Sequence, residues 1–169
     1  MVNLQSIRDK ITGLIKKHLN IEVFRVNQNA PPPAYPYIGY TITTLMKTNN
    51  GTYSEYVEND DRVYCKEFQQ IWSFTVYAAD DMQSKEIAIA LYDYLDNIGS
   101  VELSDNNIVI QLIGDITNRD TLLTIDYEYR NGFDVTFAFM NEIRRDKTVG
   151  VIDTANITPH ITGGNNHGT

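Results

Sequence analysis

Four acidic residues in the second half of the chain have side chains that could hold a divalent metal ion. These residues are Asp115, Asp120, Asp126 and Glu128. Carboxylate oxygens are ligands that Mg²⁺ prefers, and a metal bound in this way can activate water for cleavage of a nucleic acid. Many nucleases continue such a set with Glu-x-Lys, but Arg130 stands at the lysine position here and stays protonated near neutral pH. A metal-dependent nuclease is therefore a remote alternative.

No other group of residues has the spacing that catalysis or cofactor binding requires. The candidates are three histidines, one cysteine and a pair of glycines: His18, His160, His167, Cys65, Gly163 and Gly164. The histidines lie at a predicted helix end and near the end of the chain, the lone cysteine cannot form an internal disulfide, and the glycines precede no helical pattern. The sequence therefore predicts a chain that is not an enzyme and that binds neither a metal ion nor a cofactor.

Charge is unevenly distributed along the sequence. The formal net charge is −8, and an acidic chain is a poor candidate for sequence-specific binding of nucleic acid, which usually requires a basic patch. Residues 1–47 hold six basic and two acidic residues, a balance of +4, whereas residues 48–169 hold eight and twenty, a balance of −12. Surfaces of opposite sign would suit head-to-tail contact between identical subunits in a ring.

Length and composition predict one globular domain followed by a tail. The chain of 169 residues contains 11 tyrosines, a residue type that suits contact surfaces. No apolar run approaches the roughly 18 residues that a membrane helix needs, and we expect a soluble protein made in a cytoplasm. After Arg145 the composition shifts to Thr, Asn and Gly. We therefore predict a domain over residues 1–145 and an arm or disordered tail over residues 146–169.

Hydrophobic periodicity predicts two helices and several strands. Apolar residues recur at helical spacing over residues 4–19, and again after the capping residue Asp80 or Asp81 as far as Gly99, which is predicted to be a left-handed C-cap residue. Period-two or β-rich patterns predict strands over the segments 21–26, 37–46, 69–79 and 108–113. Helices and strands of this kind form an α+β fold.

A turn signal at Asn50 and Gly51 predicts a hairpin that projects from the body of the domain. The strand rich in β-branched residues before this turn would pair with a returning strand over residues 53–57. We expect Asn50, Gly51, Tyr53 and Tyr56 to make contacts between subunits or with a partner, because they would lie on this projection.

A second hairpin is predicted around a three-residue loop that ends at Gly132. This register pairs Tyr129 with Phe133 and places Glu128 across from Asp134, with Asp126 nearby on the same face. Like charges directly opposite one another are destabilising. The acidic face is therefore either a solvated surface or one kept for a purpose, such as meeting a basic patch or lining a pore.

Three segments carry a resemblance to a known family. They read "PPPAYPYIGYTI", "QQIWSFTVYAADDMQSKEIAIALYDYLDNIG" and "NIVIQLIGDITNRDTLLTIDYEYRNGFDVTFAF". In order and spacing they resemble the tail or neck terminator proteins of tailed phages of Gram-positive bacteria. The resemblance covers about residues 1–145 and rests on no catalytic motif.

The resemblance implies an α+β domain with a mixed, mainly antiparallel sheet and two helices packed on one face. It further implies a virion protein, assembled in the host cytoplasm as a hexameric ring on the end of the tail tube. Its partners would be copies of itself, the tail tube protein and a head-completion or stopper protein, with no membrane. DNA would pass through the channel without specific binding, and Asp126, Glu128 and Asp134 are candidates for an acidic lining. A head-tail connector or stopper is the alternative within the virion.

Overall fold

The computed structural model describes residues 3–48, 53–59, 61–123 and 126–146, and for residues 126, 127 and 146 it describes the backbone alone. The described helices are α1 (Leu4–Leu19), α2 (Asp81–Asp96) and α3 (Ile98–Ser104). The described strands are β1 (Glu22–Arg25), β2 (Tyr37–Lys47), β3 (Tyr53–Glu58), β4 (Asp61–Ala78), β5 (Ile108–Ile113), β6 (Thr117–Asn118), β7 (Thr121–Leu123) and β8 (Asp126–Asp146).

The strands form a mixed, mainly antiparallel sheet in the order β1-β2-β4-β8-β5. The first pair, β1 and β2, is parallel, and the other pairs are antiparallel. The short strands β6 and β7 pair with β8 beyond β5. The predicted α+β fold class with a mixed, mainly antiparallel sheet is thus confirmed.

The helices pack on one face of this sheet. Buried residues of α1, α2 and α3, such as Ile11, Leu91 and Leu103, share a single core with aromatic side chains of β4 and β8. Trp72 and Phe137 lie at the centre of the core, with ring centroids 5.7 Å apart and planes at 80°. This core holds the sheet and the helices together as one unit.

Local capping explains where α1 begins and ends. The side chain of Asn3 accepts a hydrogen bond from the Ser6 amide at 3.0 Å, which satisfies a free amide of the first turn. At the other end Asn20 adopts a left-handed conformation with φ of 54° and donates its amide to the Lys16 carbonyl. Asparagine tolerates this conformation better than most residues do. The predicted first helix is confirmed.

The second helix begins as predicted but ends differently. Asp80 accepts a hydrogen bond from the Gln83 amide at 2.9 Å, which confirms the predicted cap. The helical segment breaks at Asn97, and Gly99 lies inside the short helix α3. A β-carbon on Gly99 would lie 2.8 Å from the Tyr94 carbonyl oxygen, so close packing selects this glycine. The prediction that Gly99 is a left-handed C-cap residue was wrong.

The predicted hairpin around Gly132 does not exist, because β8 is one continuous strand. Its residues pair with β4 from Tyr129, opposite Ala78, to Asp146, opposite Asp61. A β-carbon on Gly132 would lie 2.3 Å from the Phe74 carbonyl oxygen and 3.0 Å from an Arg119 guanidinium nitrogen. Gly132 is therefore required by the close approach of β4 and Arg119, not by a turn.

Replacing Gly132 with alanine is expected to lower the free energy of unfolding by about 1–3 kcal/mol, because a paired backbone carbonyl must move aside. Urea denaturation followed by Trp72 fluorescence measures this change. Gly13→Ala, in α1, is the matched control: no heavy atom beyond the neighbouring backbone of α1 lies within 4 Å of its added β-carbon, so better helix propensity should stabilise the chain by up to about 1 kcal/mol. Equal effects at the two glycines would contradict the described packing.

The strand pairing of the first predicted hairpin also differs from the prediction. Strand β3 pairs with β4, from Tyr53 opposite Lys66 to Glu58 opposite Asp61, so the hairpin turns near Asn59. Strand β2 pairs with the other half of the same β4 edge. Asn50 and Gly51 lie outside the described residues. The predicted pairing of the strands on either side of Asn50 and Gly51 was therefore wrong, because both pair with β4 and not with each other.

Candidate interaction surface

Three strand ends extend beyond the helix-covered core as a ribbon. We define the ribbon as β3 together with residues 61–66 of β4 and residues 141–146 of β8, which pair side by side. The core begins at Phe68 of β4 and ends at Phe139 of β8, so the ribbon lies outside it. All side chains of β3 are exposed. The β3 edge of the ribbon thus offers exposed surface to a partner, whereas Val63 and Cys65 of β4 are buried.

One face of the ribbon carries four apolar side chains among charged ones. The four are Tyr53, Val57, Tyr64 and Ile143, and the strand register places Glu55, Arg62 and Lys66 on the same side. The exposed fractions of Tyr53, Val57 and Ile143 are 61%, 68% and 50%. We name these four residues the apolar ribbon face. Exposed apolar residues grouped in this way mark binding sites more often than singly scattered ones do.

Charged side chains lie between and beside the residues of the apolar ribbon face. The Arg145 guanidinium lies 5.1 Å from the centre of the Tyr64 ring, and Arg62 forms an ion pair with Glu55 at 3.4 Å. An aromatic centre with an arginine at its rim is the composition found at protein–protein hot spots.

The opposite face of the ribbon holds Tyr56, the other tyrosine predicted to make contacts. Its hydroxyl lies 4.0 Å from the Cys65 sulfur, and its side chain is 42% exposed. Tyr53 and Tyr56 therefore lie in the same ribbon but on different faces.

Glu128 and Asp134 were predicted to lie directly opposite one another, but they lie six positions apart along the single strand β8. The Glu128 carboxylate is buried and accepts hydrogen bonds from the Tyr35 hydroxyl and the Arg130 guanidinium. Asp134 accepts from Ser73 at 2.6 Å and from Arg119 at 3.1 Å. Glu128 does not pair with Asp134, because the hairpin is absent. The side chain of Asp126 lies outside the described residues, and a channel-lining role for any of the three stays a prediction.

A column of stacked side chains lies on the sheet face that the described helices do not cover, and Glu128 links its two ends. Tyr35 stacks on Tyr37 with ring centroids 5.8 Å apart, and Tyr37 stacks on Tyr77 at 4.7 Å. Arg130 lies over the Tyr77 ring at 5.0 Å. The column fastens the proline-rich loop before β2 to β8. Sequence reasoning missed it because its members come from three distant segments.

Two phenols of this column hold their protons more tightly than usual. The hydrogen bond to the Glu128 carboxylate, helped by burial, raises the pKa of Tyr35 to about 12. Burial, with the charge of Glu128 adding to it, raises the pKa of Tyr37 to about 12. In the unfolded chain both phenols would ionise near pH 10.

Stability is expected to fall as the pH rises from about 10 to 12, because the unfolded chain releases phenol protons that the folded chain retains. Below about pH 10 the contribution of the two protonated phenols to stability is fully present. The measurement is the unfolding midpoint in urea against pH for the wild type and for Tyr35→Phe. The phenylalanine variant should lose stability less steeply over this range; parallel curves would contradict the role of Tyr35.

A match to a known protein family identifies the family of this chain. The family model described as phage neck terminator protein matches residues 5–164. This chain belongs to that family. No curated protein matches the chain.

Membership makes this neck terminator chain a structural component of the phage neck. The match reaches residue 164 and so includes most of the segment predicted to be a tail. Residues 147–169 lie outside the described residues, and the boundary after residue 145 stays a prediction; β8 itself continues to Asp146.

The remote nuclease alternative depends on four carboxylates of this neck terminator chain. Asp120 accepts hydrogen bonds from the Arg130 amide at 2.6 Å and from Asn118 at 2.7 Å, and Glu128 is engaged by Arg130. In the part of the chain that the structure describes, no group of three or more His, Cys, Asp or Glu residues is placed to hold a metal ion. None of its described helices is long and apolar enough to cross a bilayer.

Proposed function

We propose that this neck protein forms a hexameric ring that caps the tail tube, stops tube polymerisation and joins the tail to the head-completion proteins. Membership of the neck terminator family is the observation that carries the proposal. The proposed partners are copies of the same chain, the tail tube protein and the head-completion or stopper protein, in the virion after assembly in the host cytoplasm.

The division of the fold into a body and a ribbon supports this proposal. The body has a complete aromatic core and can stand as a rigid block in a ring. The ribbon exposes Tyr53, Val57 and Ile143, which a subunit alone leaves in water. Covering these side chains on a tube subunit would remove apolar surface from water, and this is the main driving force of association. We therefore assign the apolar ribbon face to contact with the tail tube.

The segment after the ribbon supports a second point of attachment. Asp146 pairs with Asp61 at the end of the ribbon, and residues 147–169 follow Asp146 in the sequence. This segment contains Val149, Val151, Ile152, Ile157 and Ile161. We propose that it is an arm that docks on a neighbouring protein through these apolar residues.

The channel is proposed to carry DNA without gripping it. A net charge of −8 repels the phosphate backbone. Of the acidic residues proposed to line the channel, Glu128 and Asp134 are both paired with an arginine, but the side chain of Asp134 is 53% exposed whereas that of Glu128 is 7% exposed. Asp134 is therefore the stronger candidate to face DNA.

The molecular mass in solution, measured by light scattering with and without purified tail tubes, tests the proposal when it is followed by electron microscopy of the tube ends. A hexamer, or a monomer that becomes a ring on tube ends, is the expected result. Binding to isolated head connectors with no binding to tubes would instead favour the connector or stopper alternative.

A further inference from the structure

The outer faces of α1 and α2 carry charges that no described residue neutralises. Lys10 and Lys17 of α1 and Glu86 and Asp93 of α2 are exposed. Among the residues that the structure describes, none of these four has an ion-pair partner. Neighbouring charges on the same helices are paired within the chain, as Arg8–Asp9, Lys16–Glu22 and Asp81–Lys85 show. The unpaired charges are thus free to meet a partner.

The two sets of charges have the same spacing. Lys10, Gly13 and Lys17 occupy positions i, i+3 and i+7 of α1, and Glu86, Ile89 and Asp93 occupy the same positions of α2. Residues at this spacing share one face of a helix, and the outer charges lie about 10 Å apart along the axis. We name these triplets the basic stripe and the acidic stripe. Placed side by side in parallel, they match charge for charge.

The central residues of the stripes also fit one another. Gly13 lies in the interior of α1, where glycine is unfavourable, and no heavy atom beyond the neighbouring backbone of α1 lies within 4 Å of an added β-carbon. No contact within the described chain therefore calls for a glycine there. Ile89 is 52% exposed on the outer face of α2. The space left by the missing side chain of Gly13 in one copy therefore suits the exposed side chain of Ile89 in another copy.

We propose that the basic stripe of one copy packs against the acidic stripe of the next copy. Ile89 fills the space above Gly13, Lys10 pairs with Glu86, and Lys17 pairs with Asp93. Because the two stripes are different surfaces of the chain, the contact is heterologous and repeats from subunit to subunit until a ring closes. The inference rests on the proposed ring and names the surfaces that join its subunits.

Charge reversal tests the pairing in the full chain. One variant carries Lys10→Glu and Lys17→Glu, and a second carries Glu86→Lys and Asp93→Lys. Analytical ultracentrifugation over a concentration series should show at least about tenfold weaker self-association for each variant than for the wild type. An equimolar mixture of the two variants should recover wild-type association, and so should a chain that carries all four reversals. Failure of both to recover association overturns the pairing.

The fit of Ile89 over Gly13 has its own test. Gly13→Leu should fold, because the space around Gly13 is open within the chain. Its self-association should be at least about tenfold weaker than that of the wild type, because the leucine side chain fills the space that Ile89 would occupy. A chain with both Gly13→Cys and Ile89→Cys should form a ladder of disulfide-linked multimers on oxidation, whereas either single variant should not. The native Cys65 is buried and serves as the background control. No ladder from the double variant overturns the contact.

These outcomes separate the interface from the capping function. Rings that still form on tube ends with either charge-reversed variant overturn the interface and leave capping intact. A chain that associates through the stripes yet never caps a tube overturns capping alone. A wild-type chain that stays monomeric both in solution and on tubes overturns the interface.

Discussion

Serine at Tyr53, Val57 and Ile143 together is expected to abolish attachment of the chain to tail tube ends. Burial of each apolar side chain at the contact contributes about 1.5–3 kcal/mol, so the triple change should weaken binding far more than 100-fold. Folding should change little, because the three side chains are 50–68% exposed in the free subunit and exposed substitutions usually cost less than about 0.5 kcal/mol each. Co-sedimentation with purified tubes measures attachment, and thermal unfolding measures the fold.

A control variant removes exposed apolar side chains outside the ribbon. Leu112, Val101 and Leu122 are 64%, 62% and 59% exposed and lie outside the ribbon, and serine at these three positions should leave tube attachment unchanged. Equal loss in both variants would show that general hydrophobicity, not the apolar ribbon face, drives binding. Unchanged attachment of the ribbon variant would contradict the assignment of this face to the tube.

Replacing Phe137 with alanine is expected to lower the free energy of unfolding by about 3–5 kcal/mol, a large part of the total stability of a domain this size. The Phe137 side chain is fully buried and contacts Trp72 at 5.7 Å and Phe74 at 6.4 Å between ring centroids. Its loss leaves a cavity that the rigid sheet cannot close. Urea denaturation gives the free energy directly.

The neighbouring residue Thr136 provides the control for this change. It lies on the opposite face of β8, is partly exposed, and its replacement by alanine should cost less than about 1 kcal/mol. If Thr136→Ala destabilised the chain as much as Phe137→Ala, the alternation of β8 between core and open face would be wrong.

The sequence predicted elements whose signals are local. The helix over residues 4–19 follows from apolar spacing, and the start of α2 follows from Asp80. The strand before α2 follows from the alternation around Trp72 and Phe74. These signals lie within a few residues of the elements that they determine.

Strand partners could not be predicted, because alternation shows which residues share a face but not which strand lies alongside. Phe133, Phe137 and Phe139 do share a face, as the pattern predicts. The Asn-Gly pair at residues 131–132 is a strong local turn signal, yet pairing of β8 with β4 along its length outweighs it. The same limit led to the wrong pairing for β3, which lies beside β4 instead of β2.

The candidate surface was predicted in part for the same reason. Tyr53 and Tyr56 were expected on a projection, and both lie in the ribbon. The contribution of Ile143 depends on the pairing of β8 with β4 near residue 64, which no local signal gives. Likewise, the partners of Glu128 are Tyr35, 93 residues away in sequence, and Arg130. Contacts of this kind are set by tertiary structure alone.

The length of tail tubes made without this chain tests the central claim most directly. Electron microscopy of cells infected by a phage that cannot make the chain should show tubes of variable, excessive length that carry no heads. Adding the purified chain to growing tubes should stop their elongation and leave a ring at each end. Tubes of normal length joined to heads in the absence of the chain would contradict the account.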